Sequence, residues 1–260
     1  MVGGSGRLRF VRSLFFPPKC VSCRKLLDWH LPHEDANDAL CPKCSDEWKN
    51  ETLETCGMCA KPVPECTCMT EVMAEAKCAG FAKTVYYYPT RRRLVQNRLI
   101  YHIKKRENDH ALRFCADALA KSLLAMLAQA EGSHQEVVLT YLPRGHRARL
   151  FNGTDQALAL CRILSEVTGI PYQSTLVRRR GEEREQKRLS PTMRLQNAKR
   201  AILARKDVDC KGKTVVLVDD IVTTGSSVSA GVRVLRKMGA KQVFCAAIAT
   251  DICNKDLITH

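Results

Sequence analysis

The residues best placed to do chemistry lie between Val215 and Ser227. Val215, Val216, Leu217 and Val218 read as a buried parallel strand, and the carboxylates Asp219 and Asp220 follow where that strand is expected to end. Thr223, Thr224, Gly225, Ser226 and Ser227 then make a hydroxyl- and glycine-rich turn that opens a helical pattern over about 228–238. Strand, acidic pair, small-residue turn and helix build an anion site at the carboxyl edge of an α/β sheet. Backbone N–H groups and hydroxyls converge there with the positive end of a helix dipole. A phosphate fits that cup. The carboxylates would repel a phosphate, so they suit ribose hydroxyls or a hydrated magnesium. The alternative is an ordinary strand and a capped helix, because Asp, Thr and Ser also begin helices. No Gly-Lys-Ser/Thr follows the strand, which excludes a Walker loop.

A second chemistry is carried by sulfur. Eight of the 14 cysteines fall in four close pairs: Cys20/Cys23, Cys41/Cys44, Cys56/Cys59 and Cys66/Cys68. Thiolates two residues apart across a tight turn can point at one tetrahedral zinc, and two such turns complete a four-cysteine site. Sequential pairing places Cys20, Cys23, Cys41 and Cys44 around one ion and Cys56, Cys59, Cys66 and Cys68 around another. Disulfides are the rival reading, against which the paired spacing and a reducing compartment weigh. His30 and His33 lie inside the first loop and read as surface residues. Cys115, Cys161 and Cys245 fall in apolar patterns as small core residues, while Cys78, Cys210 and Cys253 have no partner at ligand spacing.

These groups need elements to position them. Residues 1–19 read as a Gly-rich start with a short apolar segment, 20–78 as a cysteine-rich module whose folding energy comes largely from metal, with Trp29 and Trp48 covering it. Residues 79–260 read as alternating strands and helices. Strands are expected over 82–88, 137–142, 215–218 and 242–249; helices over 94–103, 111–130, 154–167 with a Gly169 cap, 191–198 and 228–238. Such alternation implies a mostly parallel sheet flanked by helices, with ligands beyond the carboxyl ends of its strands. Arg144 and the pair Asp219 and Asp220 occupy two such ends and should meet in one cleft.

The chain of 260 residues carries 42 basic against 27 acidic residues, a net charge of +15. The basic runs at 91–93, 104–106, 144–149 and 178–188 fit nucleic acid, a pyrophosphate-bearing substrate or a solvated surface. Aromatic residues are only 6% of the chain, so base-stacking platforms are scarce. No segment has membrane-spanning length, and 10–18 is too short and interrupted for a secretory signal, so a cytoplasmic protein is expected.

The strand, acidic pair and Thr/Gly-rich loop together resemble the ribose-phosphate signature of type I phosphoribosyltransferases. The resemblance implies that Thr223, Thr224, Gly225, Ser226 and Ser227 bind the 5-phosphate of phosphoribosyl pyrophosphate (PRPP). It implies that Asp219 and Asp220 hold the ribose 2- and 3-hydroxyls as catalytic residues, with magnesium on the pyrophosphate. The loop after the first core strand would grip that pyrophosphate through Arg144 and Arg147, whose forks suit phosphate oxygens. Residues 178–190 would be the flexible catalytic loop. With the paired cysteines in front, the chain resembles the ComF family, of the ComFC type. Phe15, Phe16, Pro17, Pro18 and Cys20 match the lead into its first knuckle, and Gly153, Asp155 and Gln156 a motif after the arginine loop. Gln186, Leu189, Ser190, Arg194 and Asn197 match a third. Thr154 replaces that family's usual aromatic residue. The family implies a type I phosphoribosyltransferase-like fold with a zinc-ribbon module and a cytoplasmic role in uptake of single-stranded DNA during natural transformation. Three functions are in competition: a PRPP-using enzyme or sensor, a nucleic-acid-binding factor, and a docking platform for other DNA-uptake proteins.

Overall fold

A computed structural model describes residues 17–27, 39–105, 109–130, 136–144, 155–179 and 201–251. Its centre is a four-stranded parallel sheet in the order β1-β6-β5-β2. The strands are β1 (Phe81–Tyr86), β2 (Val137–Tyr141), β5 (Thr214–Val222) and β6 (Gln242–Thr250). Val215, Val216, Leu217 and Val218 are wholly buried, as a central strand with both faces covered requires. The strands β3 (Leu176–Arg178) and β4 (Ile202–Ala204) pair antiparallel beside this sheet. Patterns of three residues are too short to betray a period, and the sequence reading missed both.

Six α-helices lie within the described residues: α1 (Pro42–Thr52), α2 (Glu71–Glu75), α3 (Val95–Lys105), α4 (Asp109–Ala128), α5 (Gln156–Thr168) and α6 (Ser226–Lys237). On one face of the sheet, Leu99 and Ile103 of α3, Leu119 and Leu123 of α4 and Leu160 and Leu164 of α5 close over Val216 and Val218. On the other, Val228, Val232 and Leu235 of α6 and Met73 of α2 cover Val215 and Leu217, joined by Leu176 and Ile202 from the small pair. Gly231 lets α6 come close: a Cβ there would lie 2.8 Å from Leu217 Cδ2. Gly169 takes φ of 71° to end α5, the expected cap.

The chain leaves β2 toward α5 on one face and leaves β5 toward α6 on the other. That reversal puts the topological switch point between β2 and β5, where open α/β sheets bind ligands.

The cysteine-rich segment is not a loose appendage. As an outer strand, β1 would offer an unpaired edge, yet all six of its residues are buried. The cover is the turn over Val63–Glu65 and the strand-like stretch after it, from which Thr67 O accepts from Phe81 N at 3.3 Å. Trp48 packs against the core cluster that Cys20 and Cys44 of the first cysteine group also enter. It meets Phe114 of α4 edge-on at 5.1 Å and joins the main core.

Candidate functional site

Two boundaries at the anion loop differ from the expected ones. β5 does not stop before the acidic pair but runs through it to Val222, because β6 is long enough to pair Asp219 with Ala247 and Val222 with Thr250. On its other side β2 leaves at Val218, so the carboxylates sit just past the point where β5 loses that neighbour. α6 begins at Ser226, earlier than expected, with Gly225 in the left-handed conformation (φ 75°) before it. Ser229 N already donates to Gly225 O at 2.8 Å. Gly225 brings no capping side chain, and the orphan N–H groups of a helix's first turn are what an anion takes. Thr223 and Thr224 are exposed, and Thr224 Oγ1 and Ser226 Oγ lie 3.0 Å apart. Thr223, Thr224, Gly225, Ser226 and Ser227 thus form one open turn at the carboxyl end of β5.

Successive strand residues point to opposite faces, so the two carboxylates meet different neighbours. Asp220, on the side of α5, is ion-paired with Arg144 Nη2, across the switch point. Arg144 is the residue expected on pyrophosphate, and here its partner is a carboxylate expected on ribose. Burial alone would lower the Arg144 pKa, but Asp220, Asp219 and Asp155 together raise it. Asp155 also fixes the backbone of this corner, its Oδ2 accepting from Arg144 N at 3.1 Å. Asp219 is held well above the usual carboxylate range by burial and by its charged neighbour Asp220. A cavity of about 270 Å³ opens beside this corner between Tyr141, Pro143, Arg178 and Arg205. Arg147, most of the 178–190 segment and the helix expected at 191–198 lie outside the described residues, as do Trp29, His30 and His33.

The eight paired cysteines gather into two groups. Within each group, Cys20, Cys23, Cys41 and Cys44 or Cys56, Cys59, Cys66 and Cys68, all sulfurs lie within 4.8 Å of one another. This is the sequential partition. Cys23 and Cys41 sulfurs are 3.6 Å apart, close to the roughly 3.8 Å that a tetrahedral ion with bonds of about 2.3 Å imposes. The two leading turns are alike: Arg24 N donates to Cys20 O and Ala60 N to Cys56 O, and both Arg24 and Ala60 take positive φ (66° and 56°). Non-glycine residues hold that conformation only where the surroundings impose it.

The protonation pattern fits a dication. Burial pushes the Cys20 thiol up, but backbone N–H groups of Cys23, Cys41 and Ser22 outweigh it and bring the thiol down to about 7. In the second group Cys56 falls to about 6 in the same way. Burial pushes Cys44 up to about 12, with the neighbouring sulfurs adding to it, and Cys23, Cys66 and Cys68 also rise. One thiolate per group is easy to form, whereas those of Cys23 and Cys44 in the first and Cys66 and Cys68 in the second are costly without a cation among them. Each group also has a cationic side chain aimed at it. Lys83 Nζ donates to Cys66 Sγ at 3.3 Å and to the carbonyls of Cys66 and Cys68 at 2.8 and 2.9 Å. Arg98 Nη2 donates to Cys44 Sγ at 3.3 Å and to Glu47 at 2.7 Å. Zinc among four thiolates leaves a net charge of minus two, half of it offset by such a cation. The residues fit two structural zinc ions.

The sequence reading missed Lys83 and Arg98. A lysine inside the apolar run of β1 was the available signal for the first; Arg98 on a basic helix had none. Cys115, Cys161 and Cys245 are fully buried as expected, and Cys78 and Cys210 are buried too. No described helix is long and apolar enough to cross a membrane.

The phosphoribosyl transferase domain family matches residues 154–259. The ribose-phosphate pyrophosphokinase of Pyrococcus furiosus is 34% identical over 91 residues, 35% of this chain. The matched stretch is 27% of that enzyme's length. Competence protein F of Haemophilus influenzae is 28% identical over 237 residues, covering 88% of this chain and 95% of that protein. The DNA utilization protein YhgH of Salmonella typhimurium is 32% identical over 146 residues, 52% of this chain and 63% of YhgH.

Proposed function

We propose that this chain, with its phosphoribosyl transferase domain match and two four-cysteine groups in front, is a ComF-type protein, and from that premise we infer that it binds PRPP with magnesium at the switch point. The observation that carries the reading is the ion pair of Arg144 with Asp220, set beside the open turn at the start of α6. In this reading Thr223, Thr224, Gly225, Ser226 and Ser227 take the 5-phosphate. Asp219 and Asp220 take the ribose hydroxyls, and Arg144 turns from Asp220 to the pyrophosphate with Arg147 beside it. Transfer would break the bond from ribose C1 to pyrophosphate and form one from C1 to an acceptor. The protein's part is to stabilise the cationic ribosyl centre between the acidic pair and the departing magnesium pyrophosphate.

The two four-cysteine groups hold structural zinc, which supplies folding energy and no catalytic step. Residues 20–78 act as the zinc module and 79–260 as the ligand domain. Reduced thiolates of this number belong in the cytoplasm. The names of the competence and DNA utilization relatives support a role in competence and DNA use, and within that role we propose the uptake of single-stranded DNA in natural transformation.

One feature favours direct nucleic-acid binding as well. A groove of about 880 Å³ runs between the first four-cysteine group and α3. Lys25, Lys43, Arg92 and Lys104 line it with Tyr87 and Tyr101, the latter 54% exposed. Basic side chains interleaved with aromatic rings suit a single strand better than a duplex.

Calorimetric titration of magnesium PRPP into the zinc-loaded chain tests the main reading, beside an Asp219→Ala/Asp220→Ala variant. Binding in the parent that is lost in the variant is the expected result. A folded parent that gives no heat sinks the reading.

A further inference from the structure

The wall behind the anion turn is built by the cysteine-rich segment. A Cβ on Gly225 would lie 2.5 Å from Thr70 Oγ1 and 2.8 and 2.9 Å from Met73 Cγ and Sδ. The backbone of Gly225 therefore rests directly on α2. Thr70 stands immediately before α2, and only Met69 separates it from Cys68, a member of the second four-cysteine group.

α2 has five residues, too few to hold its own shape, since a first helical turn costs more than it returns. Its place is set by its anchors. Upstream these are Cys66 and Cys68, tied to β1 by the buried Lys83. On its own flank Glu75 lies 3.9 Å from Arg233 of α6, an exposed pair that contributes little. Met73, fully buried, is the plug that transmits the position of the segment to Gly225.

We propose that Thr70 and Met73 are positioning residues for the anion turn, and that they couple metal occupancy of the second four-cysteine group to ligand binding there. The proposal rests on the reading of that turn as the phosphate site. Zinc on Cys56, Cys59, Cys66 and Cys68 fixes the start of α2 and so the wall against Gly225. Without it the turn gains backbone freedom, which a phosphate must remove on binding. Linkage makes the effect reciprocal: ligand in the turn holds zinc in the second group. The first group is an internal control, because it is seated against α3 through Arg98 and not against α2.

The test follows zinc release from the full zinc-loaded chain to a chromogenic chelator, with and without saturating magnesium PRPP. Cys23→Ser and Cys59→Ser variants assign the release phases to the first and second groups. The expected result is release from the second group slowed at least about fivefold, the lower end of typical coupling. The first group should keep its rate. Met73→Ala should abolish the slowing and Met73→Leu should retain it. Equal slowing of both groups, or of neither while calorimetry reports bound PRPP, overturns the coupling and leaves PRPP binding standing. A ligand-free readout closes the case where PRPP does not bind. Hydrogen exchange at residues 223–228 should quicken in Cys59→Ser while the amides of β6 stay protected, and unchanged exchange at that turn overturns the proposal.

Discussion

At the scale of single residues, the informative contrast is between two adjacent carboxylates. Both are largely enclosed, but Asp220 has a cation beside it, whereas at Asp219 desolvation and the like charge of Asp220 outweigh the more distant Arg144, and its pKa is raised accordingly. A raised carboxylate pKa means that the folded state binds a proton the unfolded chain has released. Stability then falls as pH rises from the unfolded value of about 3.9 through the raised folded one. Asp219→Asn should therefore melt a few degrees above the parent at pH 7 and show no advantage near pH 4, by calorimetry in both buffers. The same variant should lose PRPP binding, so that stability and function move in opposite directions. The acidic pair, the hydroxyl-rich turn and the eight cysteines were legible in the sequence because their signals are local. The partners of those residues were not. Lys83 reaches Cys66 across 17 positions and Arg98 reaches Cys44 across 54, and no spacing rule spans such distances.

At the scale of elements, the position of α6 decides whether the anion turn exists at all. The helix is brought onto β5 through Gly231, whose missing side chain leaves room for Leu217 and, at 3.2 Å, for Leu142 Cδ1. Leu217 is wholly buried and cannot give way cheaply. Gly231→Val should destabilise the fold by about 1–3 kcal/mol, the usual cost of overpacking, as a lower denaturant midpoint with an unchanged slope. It should weaken PRPP binding as well, since the start of α6 moves with its body. The long elements were readable: α3, α4, α5 and β6 lie within a few residues of their expected bounds, because apolar periodicity over ten or more residues is hard to mistake. What escaped was short or polar. α1 is hidden by its charged surface and its start in a cysteine pair, and β3, β4 and α2 are too brief to show a period.

At the scale of the whole molecule, the described residues place a set of cations in the groove where the cysteine module meets α3. If about four cations of that groove contact phosphates, the affinity for a single-stranded oligonucleotide should fall with a log–log salt slope of about −3. Lys25→Glu/Lys43→Glu should reduce the steepness of that slope by about one unit or more while leaving PRPP heats unchanged. A flat salt dependence in the parent removes nucleic acid from the list of direct partners. The sheet order has a further consequence, for the chain as it is being made. Among the described strands β1 is translated first but pairs with β6, the last, and β2 makes its ladder with β5, having on its other edge a single bridge from Leu139 to Tyr172. Neither has its ladder until the final quarter of the message has been read. The cysteine groups precede all four strands, and they can close around metal while the ribosome is still producing α3. Vectorial synthesis thus presents both four-cysteine groups well before the sheet they cover can complete its ladders.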